Sequence, residues 1–180
     1  MATDFTNDLC FDPSGEHLAA VGDDNHLRIW NLPSSNEPIL KVRLPDRGLS
    51  VQYHQRQSSL VLVGCANGAI RLIDSQDGSI SLSIFVPHPL SYVKWHPENP
   101  SLLGAVAGSS FFIYNLESSS FLIPEHTGDG LSSSNYFEWN PLLNSKQFCI
   151  SSSAPVQDNL RSPAVLIYPN SFTKGFINSC

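Results

Sequence analysis

Charge is scarce in this chain. Only 14% of its 180 residues are Asp, Glu, Lys or Arg, and the balance is acidic, with a net charge of −6. Nucleic-acid binding draws on a basic patch, and none is visible. The densest basic group, Lys41 and Arg43 with Arg47 nearby, is interrupted by Asp46 and reads as solvated strand-edge charge. Long apolar runs are also missing, so no stretch has the length of a membrane-crossing helix. The cysteines, Cys10, Cys65, Cys149 and Cys180, form no Cys-x-x-Cys pair, and no histidine lies at metal-ligand spacing. The first three sit inside apolar runs, as buried free thiols do. The single Asn-x-Ser match, Asn99-Pro100-Ser101, carries proline where glycosylation forbids it. Together these absences predict a reducing, intracellular setting.

Catalytic signatures are missing as well. There is no Gly-x-Ser-x-Gly elbow. The stretch from Gly104 to Gly108-Ser109-Ser110 lacks the lysine and the spacing of a phosphate loop and lies between apolar runs. Neighbouring carboxylates occur as Asp23-Asp24, in a turn. His54 and His96 recur at one place in a repeat, which gives them a structural cause. No spacing joins a nucleophile, a base and an orienting group. The expectation is a non-enzyme with no catalytic, cofactor-binding or metal-binding residues.

What is present is periodicity. An aromatic followed by a polar residue closes a short apolar run four times, at Phe11-Asp12, Tyr53-His54, Trp95-His96 and Trp139-Asn140. The aromatics lie 42, 42 and 44 residues apart. A fixed period of this size marks one supersecondary unit copied along the chain. Each unit holds further runs such as Leu18–Val21, Leu27–Trp30, Leu60–Val63, Ile70–Ile73 and Phe111–Tyr114. The runs are short, rich in β-branched and aromatic residues, and several alternate with period two, which is strand chemistry. Asn67-Gly68 is a hairpin signal, and Asp77-Gly78 opens a fourth run in the second unit. Each unit is therefore a meander of three or four antiparallel strands. Middle runs such as Leu60–Val63 are apolar on both faces, so sheets must stack on either side of them. Radial stacking of such sheets is the β-propeller. The Ser151–Pro163 stretch reads as a long surface loop, and Ser162-Pro163 within it as a turn or a phosphorylation site.

The segment from Val21 through Asp24 and Trp30 to Leu32 resembles the end of a WD40 repeat. In that family an Asp six residues before the Trp orders the turn by hydrogen bonding; here this is Asp24 before Trp30. Asn67 takes the place of the Asp in the second unit, and Trp95 and Trp139 mark the later ones. Val21–Asp24, Gly48–Val51, Asn67–Arg71 and above all Gly104–Gly108 are similar to the WD-repeat nucleoporins that form the small subunit of the Y-shaped outer ring of the nuclear pore. The resemblance covers roughly residues 4 to 177.

The resemblance implies an all-β fold: a single partial WD40-type β-propeller over 1–180, with about four blades at 4–44, 45–86, 87–123 and 124–177. The family has seven blades, so by analogy the first two and the last lie outside this chain. It further implies a structural scaffold at the nuclear envelope, in the nuclear pore complex. The partner would be the large α-solenoid nucleoporin of the Y-complex short arm, with no direct nucleic acid and no membrane insertion. Pore assembly and nucleocytoplasmic transport of RNA and protein would be the outcome, with kinetochore association as a further implication. A generic WD40 adaptor of a ubiquitin ligase or chromatin complex is the alternative reading, and a propeller enzyme a more distant one. Functional residues are expected on rim loops, at Pro33–Pro38, Gln55–Ser59, Glu98–Ser101 and Ser151–Pro163.

Overall fold

The computed structural model describes residues 5–32, 36–108, 110–124, 134–140, 148–153, 163–168 and 172–173. No helix occurs among them. The strands assemble into antiparallel sheets, each a meander in chain order. The first sheet is β1 (Thr6–Phe11), β2 (His17–Gly22), β3 (His26–Asn31) and β4 (Leu40–Arg43). The second is β5 (Gly48–Tyr53), β6 (Leu60–Cys65), β7 (Ala69–Asp74) and β8 (Ile80–Phe85). The third runs β9 (Leu90–Trp95), β10 (Leu102–Ala107), β11 (Ser110–Asn115) and β12 (Ser120–Pro124). The fourth contains β13 (Ser134–Trp139), β14 (Phe148–Ser153) and β15 (Pro163–Tyr168). The short β16 (Phe172–Thr173) returns to pair with β12, on the third sheet's outer edge.

The fold is all-β and propeller-like. The first strands of successive sheets lie side by side, β1 by β5, β5 by β9 and β9 by β13. Because alternate side chains of a strand point to opposite faces, each sheet offers one set to the sheet before it and another to the sheet after it. Three apolar cores result. Ala19, Val21, Leu27 and Ile29 of the first sheet meet Val51, Tyr53, Val61 and Val63 of the second. Leu62, Ile70 and Leu72 meet Val93, Trp95 and Leu103 of the third. Val106, Phe111 and Ile113 then meet Phe137 and Trp139 of the fourth. The middle strands β6 and β10 are buried on both faces almost throughout, as their unbroken apolar sequence predicts.

Close approach needs glycine at one point in particular. A Cβ on Gly104 would lie 2.6 Å from the Phe137 ring and 2.9 Å from that of Trp139. Gly68 serves a turn instead, with a φ of +90° that L-residues avoid.

The fourth strands β4 and β12 fit the three or four strands expected of each unit; in β4 Leu40 and Val42 turn toward the core, while Lys41 and Arg43 are exposed. One sequence expectation meets a different layout. The stretch read as a loop from Ser151 to Pro163 is strand at both ends, since β14 reaches Ser153 and β15 begins at Pro163. Register explains this: Ser151, Ser152 and Ser153 pair with Val165, Ala164 and Pro163, and backbone hydrogen bonds do not need apolar side chains. Ser162 lies outside the described residues.

Candidate functional site

The first strand of each sheet is an edge, and its inward N–H groups need acceptors that no strand supplies. In the second and third sheets a side chain of the preceding sheet provides one. The Val51 N–H donates to Asp8 Oδ2 at 2.8 Å, and the Trp95 N–H to Gln52 Oε1 at 2.7 Å. Ser50 Oγ donates to the Val93 carbonyl at 3.1 Å. Between the third and fourth sheets the link is ionic, with Lys94 Nζ 2.6 Å from Glu138 Oε2.

The residues marked by the repeat signature fall into different environments. Asp24 sits in the β2–β3 turn, bonded to the Arg28 guanidinium, and its backbone carbonyl is 2.7 Å from His26 Nδ1. The Arg28 bond holds its carboxyl below the ordinary value against the opposing effect of burial. Asn67 closes the β6–β7 hairpin by accepting from the Ala69 N–H at 3.1 Å. Trp95 and Trp139 are core residues, the first edge-on to His54 with centroids 4.7 Å apart, the second 4.6 Å from His96. Trp30 is different. It pairs across the sheet with Leu18, which pairs with Phe11, on a side that no sheet covers among the described residues. These five residues are thus spread over four sheets and do not converge.

The residue after each aromatic has a role that the sequence only hinted at. His54 Nδ1 accepts the N–H groups of Arg56 and Gln57 at 3.1 and 2.9 Å, which places its proton on Nε2, 3.1 Å from the Pro100 carbonyl. His96 Nδ1 accepts from Glu98 and Asn99 in the same manner, at 3.1 and 3.0 Å. Asp12 fills the slot in the first sheet. Its Oδ1 accepts the His17 N–H at 3.0 Å, while Oδ2 accepts from Ser14 Oγ at 2.6 Å and lies 3.3 Å from His17 Nδ1. Burial alone would raise the Asp12 pKa; the bonds from Ser14 and His17 outweigh it and bring the value down to about 2. Serine, histidine and aspartate thus meet at one turn, but the serine hydroxyl is spent on the carboxylate. A nucleophile would need it on the imidazole.

A cavity of about 360 Å³ opens beside Asp12, between the first two sheets. Ser14, Glu16 and His17 wall it on one side and Ser58, Ser59 and Ser75 on the other, with Ile39 and Leu40 as an apolar shelf. A separate crevice between the second and third sheets, at His54, Trp95 and Pro100, holds about 10 Å³. Sequence reasoning singled out the Gln55–Ser59 rim loop but missed Asp12. The available signal was its shared slot with His54 and His96.

Among the described residues no group of three or more His, Cys, Asp and Glu side chains could hold a metal ion. The thiols of Cys10, Cys65 and Cys149 are free, and burial pushes Cys65 up to about 11.

The family profile described as "WD domain, G-beta repeat" matches residues 3–31. The chain is similar to Nucleoporin Nup37 of Mus musculus, 33% identical over 143 residues, covering 78% of this chain and 43% of the relative. Against Nucleoporin Nup37 of Homo sapiens the figures are 36% over 121 residues, 66% of this chain and 36% of the relative. Nucleoporin Nup37 of Drosophila melanogaster is 29% identical over 114 residues, 63% of this chain and 36% of the relative. The chain therefore spans well under half the length of these curated relatives. Other WD-repeat proteins match over shorter stretches. The chain is all-β, matches the WD-repeat profile over residues 3–31 and is similar to Nup37 over part of that protein's length.

Proposed function

We propose that this chain acts as a structural WD-repeat nucleoporin, a rigid surface for protein–protein interaction in the outer ring of the nuclear pore complex. Similarity to Nup37 from three animals carries this reading. The stacked sheets support it physically. Side-chain bonds and apolar cores tie each sheet to the next, so rim loops are held on a frame that does not reorganise on binding. The partner is the large α-solenoid nucleoporin of the Y-complex short arm, and the location is the nuclear envelope. The function is support of pore assembly and nucleocytoplasmic transport, with no turnover of substrate. The four-blade division at 4–44, 45–86, 87–123 and 124–177 belongs to the same proposal.

Affinity capture with the tagged chain tests this reading. Recovery of outer-ring nucleoporins is the expected result. A generic WD40 adaptor of a ubiquitin ligase or chromatin complex is the alternative reading, and the chain is also similar over 74 residues to a WD-40 repeat-containing protein. Recovery of cullin-associated or histone-complex proteins without nucleoporins would replace the first reading with the second.

A further inference from the structure

We propose that the outer edge of the second sheet joins two copies of this chain, β8 pairing antiparallel with the β8 of the second copy about a two-fold axis at Ser83. The inference stands apart from the scaffold reading, and the outcome of affinity capture bears on neither the edge nor its pairing.

The fourth strands of the first three sheets meet different treatment at their outer sides. β4 is four residues long and carries Lys41 and Arg43, both exposed; short, charged edges resist further pairing. β12 is already paired by β16, Ile123 with Thr173 and Pro124 with Phe172. β8 has neither device. It is six residues long, and no charged residue occurs from Gly78 to Pro87. Among the described residues no strand pairs with its outer side. Ile80 and Phe85 are 46% and 62% exposed. A long, uncharged, apolar edge is a template for another strand, and β16 on β12 shows that an outer edge of this fold accepts one in the antiparallel sense.

The strand itself selects a second β8 as the occupant. From Leu82 to Phe85 it pairs regularly with β7, and the Val86 N–H donates to the Gly68 carbonyl at 3.0 Å. Alternation along an antiparallel strand then turns the N–H and C=O groups of Phe85 and Ser83 outward. Leu82 and Ile84 pack against the core shared with the third sheet, which fixes the face each residue takes. With the small, exposed Ser83 on the axis, it exchanges both backbone hydrogen bonds with its own copy. Leu82 then lies opposite the second copy's Ile84, apolar beside apolar on one face. The acidic start of each strand, at Asp74 and Asp77, is carried toward the uncharged Val86-Pro87 end of the other, so like charges do not meet. The contact is smaller than a standard interface, so the dimer is weak, with a dissociation constant on the order of tens of micromolar.

The test is sedimentation equilibrium of the whole chain carrying Leu9→Lys, which removes the separate apolar patch of the first sheet. A monomer–dimer equilibrium is expected to persist. Ser83→Pro deletes an N–H that bonds nothing within the sheet, so the β7–β8 ladder stays intact. It should weaken the dimer about tenfold or more, because two hydrogen bonds at the axis are lost. A second measurement does not rely on that variant. Under mild oxidation with diamide, Ser83→Cys should give a disulfide-linked dimer, since Cα atoms of a hydrogen-bonded pair lie about 5.5 Å apart. Ser81→Cys, roughly 13 Å from its copy in this register, should not. Both variants keep the natural thiols, so the difference between them is the readout. A chain that stays monomeric well above the expected dissociation constant, a dimer unchanged by Ser83→Pro, or equal cross-linking at the two positions would overturn the proposal.

Discussion

The uncovered side of the first sheet and the covered sides of the next three are built from one pattern and meet opposite fates. Phe11, Tyr53, Trp95 and Trp139 end the first strands of their sheets at matching register. Tyr53, Trp95 and Trp139 are 3%, 1% and 2% exposed, whereas Phe11 is 52% exposed. Leu9 is likewise 56% exposed, against 3% for Val51 and 1% for Val93. The residue types are equally apolar, so local sequence does not explain the contrast. What differs, among the described residues, is the presence of a sheet packed against that side. Burial in this architecture belongs to the interface between units and not to the unit.

The largest test of that statement is a matched pair of substitutions. Trp95→Ala should cost about 3–5 kcal/mol, the usual range for a buried Trp truncation. Phe11→Ala, at the same repeat position, should cost well under about 1 kcal/mol, in keeping with an exposed site. Urea denaturation measures both, and similar costs would break the comparison. Gly104→Val probes the covered side from the other direction. With a Cβ forced against Phe137 and Trp139, overpacking should cost about 1–3 kcal/mol. A neutral result in thermal melting would mean that the third and fourth sheets are not in close contact.

The turn slot sharpens the same contrast by pH. Asp12 holds in the first sheet the place that His54 holds in the second. Its folded pKa of about 2 lies below the ordinary carboxylate value of 3.8. Its stabilisation is therefore fully present above the unfolded value and is lost as pH falls through the folded one. The acid unfolding midpoint of the wild-type chain should show this loss between about pH 4 and pH 2. Asp12→Asn should remove most of that dependence at a neutral-pH cost of about 1–2 kcal/mol. The smallest effect is expected for Leu9→Lys on the uncovered side. Stability should change by about 0.5 kcal/mol or less, while concentration-dependent self-association in sedimentation velocity falls, because an apolar patch is broken by charge. Unchanged association would show that this patch is not the adhesive surface.

Much of the fold was legible in the residues themselves. The 42-residue spacing from Phe11 to Tyr53 and from Tyr53 to Trp95 announced the repeat, and two-face apolarity in Leu60–Val63 announced stacking. Local chemistry sufficed for Asn67-Gly68 as well, because a tight turn is decided by the few residues within it. Other features were set elsewhere in the chain. Whether Trp30 is core or half-exposed depends on a neighbouring sheet, and pairing of Ser151–Ser153 depends on strand register, to which serine gives little signal. The candidate cavity depends on turns of two sheets brought together, Asp12 and His17 from the first and Ser59 and Ser75 from the second. Sequence alone determined which residues form strands and where they turn, because those preferences act over a few neighbouring bonds. Only the tertiary structure decided which apolar faces are hidden and where space remains between sheets, because both are properties of surfaces brought together from residues some forty positions apart.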